Sequence, residues 1–207
     1  MRLGIFGGTF DPVHFGHLLL AECCREQCRL DRVWFMPNAV SPHKQNVEIT
    51  SADHRIEMLL LAIAGNAAFE VSRHEIGRGG VSYTVETLEH LQKEDPTREL
   101  FFLMGGDSLA DLPDWREPAR ICELATLVAV RRPGMAELNF EGLQGVLSAE
   151  QIETIRRNVV EMPRVDLSAR EIRSLSHDGK SIRYRTPRSV EMYIKTHRLY
   201  GSNAREG

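Results

Sequence analysis

The stretch Leu3-Gly4-Ile5-Phe6-Gly7-Gly8-Thr9-Phe10-Asp11-Pro12-Val13-His14-Phe15-Gly16-His17 decides the fold of this chain. It begins with an apolar run that predicts a short buried strand, and a run with helical character, Leu18–Cys24, follows it directly. Glycines and histidines therefore meet a helix N-terminus at the end of the first strand, the edge where open α/β sheets bind their ligands. Backbone N–H groups with histidine rings beside them suit a polyphosphate at that edge.

The remaining sequence alternates predicted strands with predicted helices. Apolar runs predict strands at Leu3–Phe6, Val33–Met36, Phe69–Ser72, Leu100–Met104, Leu127–Val130 and Val159–Met162. Helical patterns cover Leu18–Cys28, Ala52–Ala64, Val85–Glu94, Arg116–Leu124, Ser148–Asn158 and Pro187–Thr196, with candidate caps at Ser51 and at Ser82 or Thr84. Together they predict an α/β fold, a doubly wound parallel sheet covered on both faces, with a small helical C-terminal part. We expect one domain over residues 1–199, its helical part at about 148–199, and a frayed tail over 200–207.

Composition limits the class of protein. Hydrophobic residues make up 42% of the 207 residues, enough for a sizeable core, and a net charge of −3 gives no positive field to attract nucleic acid or an anionic membrane. No apolar run approaches the roughly 18 residues of a membrane span, and the N-terminus does not have the pattern of a signal sequence. The four cysteines, Cys23, Cys24, Cys28 and Cys122, fit small apolar residues in a reducing cytoplasm, with a zinc or redox site as the alternative.

The glycine–histidine loop matches neither of two common phosphate-binding motifs. The chain has no Gly-Lys-Ser/Thr here, and the spacing of Gly7, Gly8 and Gly16 is not that of Gly-x-Gly-x-x-Gly. Gly7 and Gly8 allow backbone to approach a ligand closely, and His14 and His17 face the same way if a helix begins there. The pattern favours histidine N–H groups donating to phosphate, with metal ligation and a structural role as alternatives.

The loop also resembles the signature of a known family. Gly-Gly-Thr-Phe-Asp-Pro-x-His-x-Gly-His is similar to the motif of the nucleotidyltransferase superfamily with His-x-Gly-His, and within it to the bacterial nicotinate-nucleotide adenylyltransferases. The resemblance spans residues 1–199 and implies transfer of AMP from ATP to nicotinate mononucleotide, giving nicotinate adenine dinucleotide and pyrophosphate in NAD biosynthesis. It implies ATP contacts from Gly7, Gly8, Thr9, Phe10, His14 and His17, the two histidines being catalytic.

Three later segments carry the acceptor side of the resemblance. Taken alone, Lys44 reads as a solvated cation, Ser82 and Thr84 as helix caps, and Trp115 as a core indole. In the family the matching lysine lies near substrate phosphate, and the matching Ser-Tyr-Thr segment, here Ser82-Tyr83-Thr84, meets the nicotinate carboxylate at a helix N-terminus. The matching tryptophan stacks on the pyridine ring.

Two further segments are assigned to ATP. Gly105 and Asp107 follow a buried strand at the ligand edge, where Asp107 can cap a helix, hold a ribose hydroxyl or hold a solvated metal ion. Arg132 stands just before Pro-Gly, as in the family, and an arginine at a strand end can fork onto phosphate; the alternative is a solvated pair with Arg131.

The segment Ser168–Arg173 is the second phosphate candidate. Ser168 is placed to cap a helix, and Arg173 lies one turn further along. The segment resembles the family's Ser-Ser-Thr-x-Ile-Arg motif, which implies that Ser168 and Arg173 hold the distal phosphates and that Arg173 is catalytic. Ala169 and Arg170 depart from that motif, which removes two hydroxyl donors, adds a cation and leaves the role of Arg170 open.

The reaction implied by the resemblance needs no protein nucleophile. The mononucleotide 5′-phosphate attacks the α-phosphorus of ATP in line, so positioning and charge neutralisation carry the catalysis. Mg²⁺ is expected as cofactor, bound through the phosphates and water with few protein ligands. The alternatives are an adenylyltransferase for nicotinamide mononucleotide or phosphopantetheine, an enzyme with a cytidylyl donor, a non-catalytic nucleotide-binding protein and a metal-dependent hydrolase. The sequence leaves the oligomeric state, including a homo-oligomer, open.

Overall fold

The computed structural model describes residues 1–40, 49–131 and 138–201. In chain order its elements are β1 (Arg2–Gly8), α1 (Phe15–Gln27), β2 (Arg32–Pro37), α2 (Ala52–Ile63), β3 (Phe69–Val71), α3 (His74–Arg78), α4 (Thr84–Glu94), β4 (Glu99–Gly105), α5 (Gly106–Ala110), α6 (Pro118–Leu124), β5 (Thr126–Arg131), α7 (Ala149–Arg157), β6 (Val159–Glu161), α8 (Ala169–His177) and α9 (Arg188–Thr196). Single 3-10 turns lie at Leu112–Asp114 and Glu141–Leu143.

The strands form one parallel sheet in the order β3-β2-β1-β4-β5-β6. This confirms the predicted doubly wound α/β fold. Each predicted apolar run coincides with one of these strands, although Ser72 and Met162 lie one residue beyond β3 and β6. The strand order reverses between β1 and β4, so the helices that follow these two strands leave the sheet on opposite faces. A crevice therefore opens between the carboxyl ends of β1 and β4, where the glycine–histidine loop begins.

The core has one part on each face of the sheet. Leu3 and Ile5 of β1 pack with α4, α6 and α7 on one face, and Phe6 packs with α1 and α2 on the other. The C-terminal helices α8 and α9 add Ile172 and Val190 to this second face. Residues 148–199 thus extend the sheet by β6, with α7 on the α4 side and with α8 and α9 on the α1 side.

Capping chemistry explains some helix starts and corrects others. Ser51 caps α2 as predicted, its Oγ accepting from the His54 N–H at 3.5 Å. Neither predicted cap begins α4, because Tyr83 occupies the N-cap position without a side-chain hydrogen bond and Thr84 is already helical. The Ser82 hydroxyl is engaged elsewhere, as described below.

Three further helices begin at other residues than the sequence predicts, two of them at or next to a proline. The helix after the glycine loop begins at Phe15, earlier than the apolar pattern indicated, because the His14 N-cap starts it within the polar segment. The predicted helix at Arg116 begins only at Pro118, since Glu117 is left-handed with φ 55° and proline suits the first helical position. Pro187 is the N-cap of α9, one residue before the first turn where it was expected.

Candidate active site

A cavity of about 300 Å³ lies at the switch point of the sheet. Its floor is the carboxyl ends of β1 and β4, and its walls come from the start of α4 and from the segment after α5. It is large enough for a small ligand with a ring. The cavity brings together eight of the residues predicted from sequence: Gly7, Gly8, Thr9, Ser82, Tyr83, Thr84, Gly105 and Trp115.

The two ends of the glycine–histidine loop have different surroundings. A Cβ on Gly8 would lie 2.9 Å from Cζ of Phe10, so the strand can approach this ring only because residue 8 is glycine. Phe10, expected among the ATP contacts, is 2% exposed, and its ring packs edge-on against Phe6 and His17 at centroid distances of 5.3 and 5.1 Å. Its side chain therefore supports the ring of His17 from the core and does not line the cavity.

His14 and His17 form a stacked pair at the start of α1. Their ring centroids are 3.7 Å apart with an interplanar angle of 20°, so the two rings face the same way, as predicted. The His14 backbone N–H donates to His17 Nδ1 at 3.3 Å. Because Nδ1 acts as acceptor, Nε2 carries the proton of the His17 ring. His17 can therefore donate a hydrogen bond through Nε2.

The N-terminus of α8 lies beside that of α1. A Cβ on Gly16 would be 3.9 Å from Leu167 Cβ, directly before the start of α8. Ser168 caps α8 as predicted, its Oγ accepting from the Glu171 N–H at 3.1 Å. Arg173 Nη1 donates to the backbone oxygen of Asp11 at 2.6 Å. Two helix N-termini and a guanidinium therefore converge on the glycine–histidine loop, which is a favourable setting for phosphate.

The Ser82 hydroxyl is used inside the wall of the cavity. Its Oγ accepts from the Ala39 N–H at 3.1 Å, and the nearby carboxylate of Glu75 accepts from Thr87 Oγ1 at 2.7 Å. Ser82 thereby shapes the wall of the cavity, where Thr84 and the start of α4 also lie. Sequence reasoning missed Glu75, because a carboxylate seven residues before Ser82 carries no visible pattern.

Burial raises the pKa of Glu75 above its ordinary value, against the hydrogen bonds from Thr87 and Ser82. The folded state therefore binds the proton more tightly than the unfolded chain, and this carboxyl reduces stability as pH rises above about 4.5, its ordinary pKa. We expect Glu75→Gln to be stabilised relative to the wild type at about pH 7 but not at about pH 4. Urea midpoints of both proteins at the two pH values measure this; a difference that does not change with pH would contradict it. Glu89→Gln, at an exposed ion pair with Arg120, is the control.

Trp115 forms an aromatic wall of the cavity. Its ring meets Phe102 edge-on at 5.7 Å and 85°, and within the described residues Nε1 has no hydrogen-bond partner. Arg116, for which no pattern in the sequence indicates a site role, also lines the cavity. Its guanidinium lies 4.9 Å from the centre of the Tyr83 ring and pairs with Glu86 at 2.7 Å. An aromatic face beside a cation suits a ring that carries an anionic group.

Three predicted residues remain outside this arrangement. Lys44 and Arg132 lie outside the described residues. Asp107 is exposed in the first turn of α5 and is not among the residues that line the cavity. It does not cap the helix either, since Gly105 is the N-cap residue.

Metal-binding and membrane-spanning features are lacking in the part of the chain that the structure describes. Over residues 1–40, 49–131 and 138–201, no three His, Cys, Asp or Glu residues come together as a metal site. No helix in these ranges combines the length and apolar character needed to cross a bilayer. All four cysteines are free thiols, and burial raises the pKa of Cys122 to about 11, which keeps that thiol protonated.

Comparison with known proteins places the chain in a family. The model of the cytidylyltransferase-like family matches residues 5–175. A protein of Thermomicrobium roseum named "Probable nicotinate-nucleotide adenylyltransferase" is 45% identical over 96% of this chain and 91% of its own length. A protein of the same name from Thermus thermophilus is also 45% identical, over 97% of this chain and all of its own length. The chain belongs to the nicotinate-nucleotide adenylyltransferase family.

Solved structures agree with this family at the level of the fold. The Plasmodium falciparum nicotinic acid mononucleotide adenylyltransferase complexed with NaAD superposes with a TM-score of 0.74, covering 96% of this chain and 97% of that one at 16% identity. A second structure of that enzyme, complexed with APC, gives a TM-score of 0.72. The predicted nucleotidyltransferase fold is thus confirmed for a member of the adenylyltransferase family.

Proposed function

We infer that this chain transfers AMP from ATP to nicotinate mononucleotide, releasing pyrophosphate and forming nicotinate adenine dinucleotide. Family membership supports the reaction class. The observation that carries the assignment within this chain is the position of the cavity, which directly adjoins the loop leading to the His14–His17 pair. A ring-bearing acceptor and a triphosphate would thus meet at one sheet edge.

The proposed acceptor site is the cavity at the switch point. Trp115 offers its face to the pyridine ring, while Thr84 and the N-terminal amides of α4 receive the carboxylate. Arg116 adds a positive charge at the same wall. The acceptor's 5′-phosphate then extends toward Gly7 and Gly8, where the backbone can approach it closely.

The proposed triphosphate site lies between the starts of α1 and α8. In-line attack of the acceptor phosphate on the α-phosphorus moves negative charge onto the departing pyrophosphate. His17 donates through Nε2 to that charge, His14 lies stacked beside it, and Arg173 and the capped start of α8 hold the distal phosphates. Such preorganised donors lower the barrier without a covalent intermediate.

The described residues fit a magnesium ion held mainly by substrate. They offer no group of three or more metal-ligating side chains, so phosphate oxygens and water would supply most of the ligands, as Mg²⁺ prefers. When bound, the ion neutralises part of the charge on the triphosphate. The protein's own part is to orient the phosphates and donate hydrogen bonds to them.

The assignment is tested by pairing ATP with different acceptors. Purified protein with ATP and Mg²⁺ is expected to release pyrophosphate rapidly with nicotinate mononucleotide, and the dinucleotide product is identified by chromatography. Nicotinamide mononucleotide and phosphopantetheine are the comparison acceptors, since neither carries the ring carboxylate. A faster reaction with either of them, or ATP binding without pyrophosphate release, would contradict the proposed function.

A further inference from the structure

Asp11, within the glycine–histidine loop, is the centre of a buried hydrogen-bond cluster. Its carboxylate is 4% exposed and accepts from the Tyr200 hydroxyl at 2.5 Å and from the Thr50 N–H at 3.3 Å. Its backbone oxygen accepts from Arg173. Tyr200, expected to begin a frayed tail, is instead held against the loop by this hydroxyl. The cluster links the end of the described chain to the first loop.

Arg55 holds the same loop from the other side. It is 2% exposed, and its nitrogens donate to three backbone oxygens: Nε to Thr50 at 3.0 Å, Nη1 to Thr9 at 2.9 Å and Nη2 to Asn38 at 2.9 Å. These oxygens belong to three separate segments at the ligand edge. One guanidinium with a fixed fork therefore sets the spacing of the β1 loop, the end of β2 and the start of α2.

Asp11 and Arg55 are oppositely charged but make no direct contact. The Asp11 carboxylate is the acidic group whose field favours the charged form of Arg55, opposing the lowering of the Arg55 pKa by burial. Among the described residues, neither side chain forms an ion pair. Arg55 instead donates to backbone oxygens, and Asp11 accepts from Tyr200 and from the Thr50 N–H. A buried charge needs such full satisfaction to be tolerated, which makes the geometry of the loop stiff.

We propose that Arg55 and Tyr200 are positioning residues for ATP, holding the Thr9–Asp11 segment from beneath so that the His14–His17 pair and Arg173 stay aimed at the triphosphate. This inference rests on the proposed function. Neither side chain lines the cavity, so both act through the loop. Tyr200 contacts neither Ser82 nor Trp115 of the acceptor wall, whereas Arg55 also holds Asn38, which lines the cavity, so Tyr200 gives the more specific test.

The test is a set of mild substitutions read separately for each substrate. Tyr200→Phe removes only the hydroxyl that meets Asp11, and we expect KM for ATP to rise about tenfold, the scale of one hydrogen bond to a charged group, with KM for nicotinate mononucleotide within about twofold. Arg55→Lys keeps the charge but cannot reach three carbonyls, so a larger loss in kcat/KM for ATP is expected. Because both act on one loop, the double variant should lose less than the product of the single losses.

Tyr193→Phe is the matched control. It removes a comparable hydroxyl contact, to His54 Nδ1 at 2.8 Å on the α2–α9 face, and should change neither KM. Calorimetric binding of a non-hydrolysable ATP analogue gives the same comparison without turnover, so positioning is tested even if the acceptor assignment fails. Two results would overturn the proposal. One is an ATP affinity of Tyr200→Phe equal to that of the wild type. The other is an equal rise in KM for both substrates that parallels a fall in thermal stability.

Discussion

Replacing His17 by alanine is expected to lower kcat by about a hundredfold at saturating substrates, the scale seen when one preorganised donor to developing charge is removed. The structure fixes the reason. The His17 ring is wedged between His14, stacked at 3.7 Å, and the buried Phe10, and its Nδ1 is occupied by the His14 N–H. Nε2 is the donor that we propose for the departing pyrophosphate. Initial rates of pyrophosphate release measure the change.

A second variant separates this chemistry from the capping of α1. Asparagine at position 17 can present an oxygen near the place of Nδ1 and so still accept from the His14 N–H, but it has no counterpart of the Nε2 proton. His17→Asn should therefore keep the thermal stability of the wild type and still lose the rate. His177→Ala, at an exposed histidine near the end of α8, is the control and should not change kcat. A loss of less than about tenfold in His17→Ala would refute the phosphate-donor role.

Replacing Arg173 by alanine is the second large effect that we expect, about a hundredfold in kcat/KM for ATP, because the residue has two connected tasks. One nitrogen fixes the Asp11 carbonyl, and the rest of the guanidinium is proposed to hold distal phosphate. Its loss removes a positive charge from the site and the hydrogen bond to the Asp11 carbonyl in the glycine–histidine loop. Steady-state kinetics with ATP varied at saturating nicotinate mononucleotide measure it.

Lysine at the same position tests the need for a planar fork. Arg173→Lys can meet either Asp11 or phosphate but not both, so we expect an intermediate loss. Arg157→Ala, at an exposed i,i+4 pair with Glu153 on α7, is the control for removing an arginine from this chain. Equal activity of Arg173→Ala and Arg157→Ala would exclude a role for Arg173 in ATP use.

Local sequence patterns predicted the scaffold because the strands are buried on both faces. Runs such as Leu100–Met104 are continuously apolar, and alternate residues enter the cores on the two sides of the sheet. The glycine–histidine loop could also be predicted from sequence, since its glycines, histidines and helix start are adjacent in the chain. The residues of the proposed acceptor wall were indicated by the family resemblance, and Ser82, Thr84 and Trp115 all line one cavity.

The supporting contacts could not be found in this way, because they join residues far apart in sequence. Tyr200 meets Asp11 across 189 positions, and Arg55 meets Thr9 across 46. Arg55 lies within the helical pattern Ala52–Ala64 and is buried, where it donates to three carbonyl oxygens. Glu75 is likewise buried, and its carboxylate accepts from Thr87 across 12 positions. Each of these side chains is placed by the need of buried polar groups for hydrogen-bond partners, which no local sequence pattern shows.

The central claim is that acceptor and triphosphate occupy two adjoining parts of one sheet edge. A crystal structure with nicotinate mononucleotide, Mg²⁺ and a non-hydrolysable ATP analogue tests it most directly. We expect the pyridine ring against Trp115, its carboxylate at the start of α4, and the triphosphate between the starts of α1 and α8 within hydrogen-bond distance of His17. A mononucleotide bound outside the cavity between β1 and β4, or a triphosphate without contact to His17 and Arg173, would contradict the account.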